Sequence, residues 1–254
     1  MTNRRRGESR SAHERELSRI SGLAAVRAVF ARDPGRVERM FFEESVKEQV
    51  GPFCRMLARA RKPYRKVDKP ELARIAGTIL HGGVVAIARP RPLLDLDPQG
   101  ARRWAEAGKP LLILDGIGNP HNLGAIVRSA AFFGLEHVVL SDHPKQALPS
   151  DASFRVAEGG FEYLNLYRAG LPAALNELRP GYNVVGTALG NRAVRNQWVA
   201  GRPVALILGN EETGLGPAVI AACDEVVTIP GSGRVQSLNV AAAAAILIYL
   251  LTRS

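Results

Sequence analysis

Three stretches of the sequence place polar side chains and glycines directly after apolar runs of strand length. The first is Asn119-Pro120-His121-Asn122-Leu123-Gly124, continuing to Arg128-Ser129. The second runs Leu208-Gly209-Asn210-Glu211-Glu212-Thr213-Gly214-Leu215-Gly216, and the third runs from Ile229-Pro230-Gly231 to Ser237-Leu238-Asn239. Open parallel sheets collect their ligands at such places, beyond the carboxyl ends of the strands. The paired glycines of the second and third stretches suit close approach of the backbone to a ligand, leaving N–H and C=O groups free to read an adenine or a carboxylate. Arg128 is a long cation in an otherwise small and apolar helical stretch. Each feature also has a plainer reading: a surface ion pair of Arg128 with Glu136, helix caps for Ser237 and Asn239, a solvated loop acid for Glu211, and turns for the glycines. No G-x-G-x-x-G fingerprint follows the first strand of this segment and no Gly-Lys-Ser or Gly-Lys-Thr occurs, which disfavours a nicotinamide-dependent oxidoreductase and a nucleoside triphosphatase.

The elements that must hold these loops alternate. Beyond Pro110, apolar strands are expected at 111–114, 137–140, 183–187, 204–208 and 225–229, with helices at 122–133 and 238–251. That alternation predicts an α/β fold with a parallel sheet. Upstream, helices at 22–30, 46–60 and 72–75 and strands at 37–42 and 84–88 make a small α/β module of residues 19–90. A connector with a short helix at 100–108 covers 91–109, and residues 1–18 read as a mobile basic arm.

The charge is divided as unevenly as the chemistry. Of the net +10, residues 1–109 contribute +11, from 24 Lys and Arg against 13 Asp and Glu, while residues 110–254 contribute −1. The densest basic run, Arg55, Arg59, Arg61, Lys62, Arg65, Lys66 and Lys69, suits a polyanion, because cations near phosphates gain affinity by releasing condensed counterions. A solvated basic face is the alternative. Cys54 and Cys223 form no disulfide framework or metal-ligand spacing, and no ligand cluster suggests a metal. The longest apolar run, Val240 to Leu251, falls short of the roughly 20 residues that span a bilayer, and a cytoplasmic protein without a membrane partner is expected.

Taken together, Asn122-x-Gly124-x-x-x-Arg128, Leu208-Gly209-Asn210-Glu211-x-x-Gly214-Leu215 and Ile229-Pro230 through Ser237-Leu238-Asn239 resemble, in order and spacing, the three motifs of the SpoU/TrmH family of RNA ribose 2′-O-methyltransferases, within the SPOUT superfamily. Residues 20–88, closing on His81-Gly82-Gly83-Val84-Val85-Ala86, are similar to the small α/β substrate-binding domain found in front of that catalytic domain. The resemblance implies a C-terminal trefoil knot in a methyltransferase domain of residues 110–254, S-adenosylmethionine as cofactor, a homodimer, and rRNA or tRNA as substrate. It also implies cofactor binding by the backbone at Gly209, Ile229 and Leu238, with Asn122, Arg128, Glu211, Ser237 and Asn239 at the reactive centre.

Elementary chemistry agrees with those roles. A ribose hydroxyl is a weak nucleophile that must be aligned with the methyl it attacks and relieved of its proton. The guanidinium of Arg128 suits a neighbouring phosphate or a developing alkoxide, whereas acting as a literal base would demand an exceptional pKa shift. Asn122, Glu211 and Asn239 fit as orienting groups. Ala157-Glu158-Gly159-Gly160 and Gly231-Ser232-Gly233-Arg234 depart from the common family pattern and bear on substrate choice. A catalytically silent RNA-binding protein is the competing reading, and retention of all five reactive-centre residues argues against it.

Overall fold

In a computed structural model the chain begins with β1 (Ser18–Ser21), α1 (Leu23–Arg32), β2 (Val37–Phe42), α2 (Lys47–Arg59), β3 (Tyr64–Lys66), α3 (Lys69–Ala76) and β4 (Val84–Ala88). The structure describes residues 17–189 and 201–253, so the basic arm expected over 1–18 falls outside it up to residue 16. These strands form a sheet of order β1-β4-β2-β3, in which only β3 runs parallel to its neighbour. β4 is continuously apolar because both faces are covered. Val84, Ala86 and Ala88 pack with Val26, Val29 and Met40, while Val85 and Ile87 turn to Val67, Leu72 and Ala76. α3 is longer than expected because Asp68 caps it by accepting Glu71 N–H at 2.8 Å, Pro70 sits in its first turn and Gly77 ends it at φ 68°. β3 was hidden within the basic run. All three of its residues are exposed on an edge strand, so no apolar alternation marks it.

The remaining elements are β5 (Leu94–Asp95), α4 (Pro98–Glu106), β6 (Leu111–Leu114), α5 (Pro120–Phe132), β7 (His137–Ser141), α6 (Asp151–Ala157), β8 (Asn165–Ala169), α7 (Ala173–Leu178), β9 (Asn183–Thr187), β10 (Val204–Leu208), α8 (Pro217–Ala221), β11 (Glu225–Val227) and α9 (Val240–Thr252). Among the described residues, the strands from β5 onward form one sheet of order β11-β9-β10-β6-β7-β8-β5, with every neighbouring pair parallel. β6, β7 and β10 are buried along their whole length, as a parallel sheet covered on both faces requires. From β6 the chain works outward through β7 and β8, then crosses to β9 and β10 on the other side. The carboxyl ends of β6 and β10 therefore lie side by side. α9 returns from beyond the edge strand β11 to pack on α5 and β10.

Residues 91–109, expected to be a linker, supply structure to this sheet. β5 pairs with β8, and α4 buries Ala101 and Ala105 in the core. Asp97 caps α4 by accepting from the N–H groups of Gln99 and Gly100, and Trp104 stacks on His137 with ring centroids 3.9 Å apart. The chain divides into two units, Pro92–Pro149 with Tyr163 onward, and the segment up to Arg91 with Ser150–Glu162. The latter excursion, which carries α6, is fixed within the small unit by a buried pair in which Arg36 Nη2 donates to both oxygens of Glu162 at 2.6 and 2.7 Å. Arg36 Nη1 also donates to Arg89 O at 2.7 Å, so part of the cost of burying the charges is offset by these charge-assisted contacts. Ala157-Glu158-Gly159-Gly160 lies in this excursion. Gly159, at φ 93°, lets it approach α1, where a Cβ would come within 2.6 Å of Ala28 Cβ and 3.2 Å of Ala24 O.

Candidate active site

Three residues from three loops meet in one hydrogen-bonded chain. Asn119 caps α5 by accepting His121 N–H at 2.8 Å, with Pro120 in the first turn, which places Asn122 at the start of the helix. Asn122 Nδ2 donates to Glu211 Oε1 at 2.7 Å, and Asn239 Nδ2 donates to Asn122 Oδ1 at 3.2 Å. The carboxylate accepts only, so it fixes the orientation of the Asn122 amide, which in turn fixes that of Asn239. Asn122 is half-buried, while Glu211 and Asn239 are exposed. The result is an ordered polar surface, open to a substrate, at the carboxyl end of the sheet.

Two neighbours set the second loop, and one of them carried no role from sequence reasoning. At Gly209 a Cβ would lie 2.5 Å from Gly214 C and 2.6 Å from Leu215 N, so the loop closes back on its own backbone only because this residue is glycine. Asn210 is the missed residue. Its buried Oδ1 accepts from Glu212 N, Thr213 N and Thr213 Oγ1 at 3.0 to 3.2 Å, and its Nδ2 donates to Gly116 O at 2.7 Å. One amide thereby closes the turn that carries Glu211 and ties it to the turn after β6. The signal for it was an Asn beside a strand-ending glycine with a turn following, which does not reveal the distant partner at Gly116.

Other expected residues lie on the elements around that chain. Arg128 lies on α5 six residues beyond Asn122, about 120° round the helix, and is exposed. Glu136 accepts from Lys109 Nζ at 2.7 Å. Ser237 is exposed and does not cap α9, since Asn239 does so by accepting Ala241 N–H at 2.8 Å. β11 ends at Val227, two residues short of the expected boundary, which leaves Ile229 outside the sheet. From Ile229 to Leu238 no backbone N–H donates to the backbone of another described residue. Val235 and Leu238 are exposed there at 73% and 47%. Backbone N–H groups without a backbone acceptor among the described residues, beside these exposed aliphatic side chains in the loop that ends at Asn239, fit the adenosine portion of S-adenosylmethionine. Among the described residues, no group of His, Cys, Asp and Glu could hold a metal ion.

The basic run separates into two kinds. Arg55, Arg59, Arg61 and Lys69 are exposed. Lys62 Nζ is spent on Gly35 O at 2.7 Å and Val37 O at 2.5 Å, with Glu38 at 3.4 Å, so this cation holds the start of β2. Arg65 pairs with Glu71 and Lys66 with Glu44, both on the surface.

Comparison with known proteins accords with these two parts of the chain. Residues 109–249 match the model of the SpoU rRNA methylase family, and residues 19–94 match the RNA 2′-O ribose methyltransferase substrate-binding model. The 23S rRNA (guanosine-2′-O-)-methyltransferase RlmB of Acinetobacter baylyi is 32% identical over 236 residues, covering 90% of this chain and 94% of its own. The uncharacterised tRNA/rRNA methyltransferase YfiF of Escherichia coli O157:H7 is 33% identical over 92% of this chain and 67% of its own. Among solved structures, the AdoMet-bound rRNA methyltransferase of Sinorhizobium meliloti shares the fold with a TM-score of 0.75 at 24% identity, covering 96% of this chain and 90% of that one. With its three loops joined by the hydrogen bonds among Glu211, Asn122 and Asn239 and the family model matched over more than half its length, the chain belongs to the SpoU rRNA methylase family.

Proposed function

We propose that this protein transfers the methyl group of S-adenosylmethionine to a ribose 2′-hydroxyl of structured rRNA or tRNA. The observation that carries the reading is the Glu211–Asn122–Asn239 chain, which joins the three family motifs at one open site. The cofactor supplies an electrophilic methyl on a sulfonium. Backbone groups at Gly209, Ile229 and Leu238 hold it, and the Asn122 and Asn239 amides orient the ribose. Arg128 stabilises charge on the phosphate or on the hydroxyl as it loses its proton, and Ser237 contributes a hydroxyl at the edge of the site. Arg55, Arg59, Arg61 and Lys69 supply the main grip on RNA, with Arg65 and Lys66 contributing once released from their surface partners and Lys62 serving the fold.

The working unit is a homodimer in the cytoplasm. Phe132, on the same face of α5 as Arg128 and one turn beyond it, is 81% exposed, and Ile246 and Tyr249 of the adjacent α9 are about 40% exposed. A second copy would cover this apolar face. The return of α9 from beyond β11 to α5 and β10 supports a threaded, knotted C-terminus. No helix among the described residues is long and apolar enough to cross a membrane. Residues 19–90 form the substrate-binding part and 110–254 the catalytic part. Calorimetry of the full chain with S-adenosylmethionine, followed by transfer of labelled methyl to RNA, tests the reading. Saturable cofactor binding with label in ribose supports it, and label in bases or no transfer to any RNA contradicts it.

A further inference from the structure

The loop after β7, residues 142–149, is clamped to the turn after β6. Ile117 N–H donates to Gln146 Oε1 at 3.1 Å, and Ala147 N–H donates to Ile117 O at 2.8 Å. The His143 ring lies against Gly116, where a Cβ would come 3.0 Å from His143 Nδ1. Gly116 is also the residue whose carbonyl receives Asn210 Nδ2. One turn therefore connects this loop to the loop that carries Glu211.

The loop presents donors. Lys145 N–H donates to His143 Nδ1 at 3.1 Å. A ring nitrogen that accepts a hydrogen bond carries no proton, so the neutral imidazole keeps its hydrogen on Nε2, as a donor on an exposed ring. His143 Nε2 and Lys145 Nζ have no partner among the described residues. The loop's acid, Asp142, is engaged elsewhere, accepting Leu171 N–H at 3.4 Å.

We propose that His143 Nε2–H and the Lys145 ammonium bind backbone oxygens of the RNA beside the target ribose, which makes this loop a substrate-positioning element of the reaction. The inference rests on the reading of RNA as substrate. Acceptors are what the RNA backbone offers at every residue, and a neutral imidazole donor with an adjacent cation suits a phosphate.

The test uses the full chain, S-adenosylmethionine, and total RNA from cells lacking this protein. His143→Ala is expected to raise the apparent KM for RNA about tenfold with little change in kcat or in cofactor affinity, as loss of a ground-state binding contact should. His143→Gln, whose amide nitrogen replaces the Nε2 donor, is expected to recover most of the loss. His143→Asn replaces only the Nδ1 acceptor that supports Lys145 N–H and should not. Lys145→Ala should lower the salt slope of RNA binding by roughly one unit. Recovery by Asn and not by Gln would show His143 to be a loop support, and wild-type behaviour of both alanine variants would remove the loop from substrate binding. Either result overturns the proposal. A wild-type protein that binds the cofactor yet methylates no RNA would defeat the functional reading itself, separately from these variants.

Discussion

Asn239 holds the last helix and the reactive loop with one amide: its Oδ1 accepts Ala241 N–H at 2.8 Å while its Nδ2 donates to Asn122 Oδ1 at 3.2 Å. Asn239→Asp keeps the cap, since a carboxylate at a helix N-terminus is a good one, and removes the donor. Two carboxylates, Asp at 239 and Glu211, would then compete for one Asn122 amide. We expect a melting temperature within a few degrees of wild type and kcat lowered about tenfold or more, read by thermal melts and single-turnover methyl transfer.

The Asn210 amide predicts a different outcome. Asn210→Ala leaves Gly116 O and the N–H groups of Glu212 and Thr213 without their partner, which should cost about 2 to 3 kcal/mol in chemical denaturation. Asn210→Asp keeps the acceptor but sets a carboxylate against Gly116 O. It should weaken S-adenosylmethionine binding by releasing the second loop, measurable by calorimetry.

Much of this architecture was legible because burial on both sides writes itself as unbroken apolar sequence, as in Val84–Ala88, Leu111–Leu114 and Val204–Leu208. β8 escaped notice because Asn165-Leu166-Tyr167-Arg168-Ala169 is neither an unbroken apolar run nor a strict alternation, and the two-residue β5 has no pattern at all. The three loops could be named from residue types and spacing, and Asn122, Glu211 and Asn239 do meet. Their donor and acceptor order, the Asn210 tie and the Arg36–Glu162 pair are long-range relationships with no local signature. Net charge likewise counted Lys62 with its neighbours, because carbonyl acceptors such as Gly35 O carry no charge to count.

Division of the basic run gives a paired test. Replacing Arg55, Arg59 and Lys69 with Ala should flatten the salt dependence of RNA binding by roughly one unit or less per lost phosphate contact, with stability unchanged. Lys62→Ala should instead cost about 1 to 2 kcal/mol of stability through the carbonyls it abandons. Filter binding at several salt concentrations and denaturant melts separate the two.

Burial lowers the pKa of His137, stacked on Trp104 with neither ring nitrogen hydrogen-bonded, against the smaller opposing pull of Glu136. Its stabilising contribution is present above the unfolded value near 6.5 and is lost as pH falls below it, with a slope of up to about 1.4 kcal/mol per pH unit. His137→Phe should remove that part of the pH dependence in denaturant melts between pH 5 and 7.

The central claim is methyl transfer to ribose oxygen, and the most direct measurement is mass spectrometry of nucleosides from RNA of cells lacking this protein, after incubation with the purified chain and S-adenosylmethionine carrying a labelled methyl. The account predicts label in a 2′-O-methylnucleoside, reduced about a hundredfold or more in Arg128→Ala despite normal cofactor binding, with Arg128→Lys also strongly impaired. Label found on a base, or undiminished ribose labelling by the Arg128→Ala protein, would contradict it.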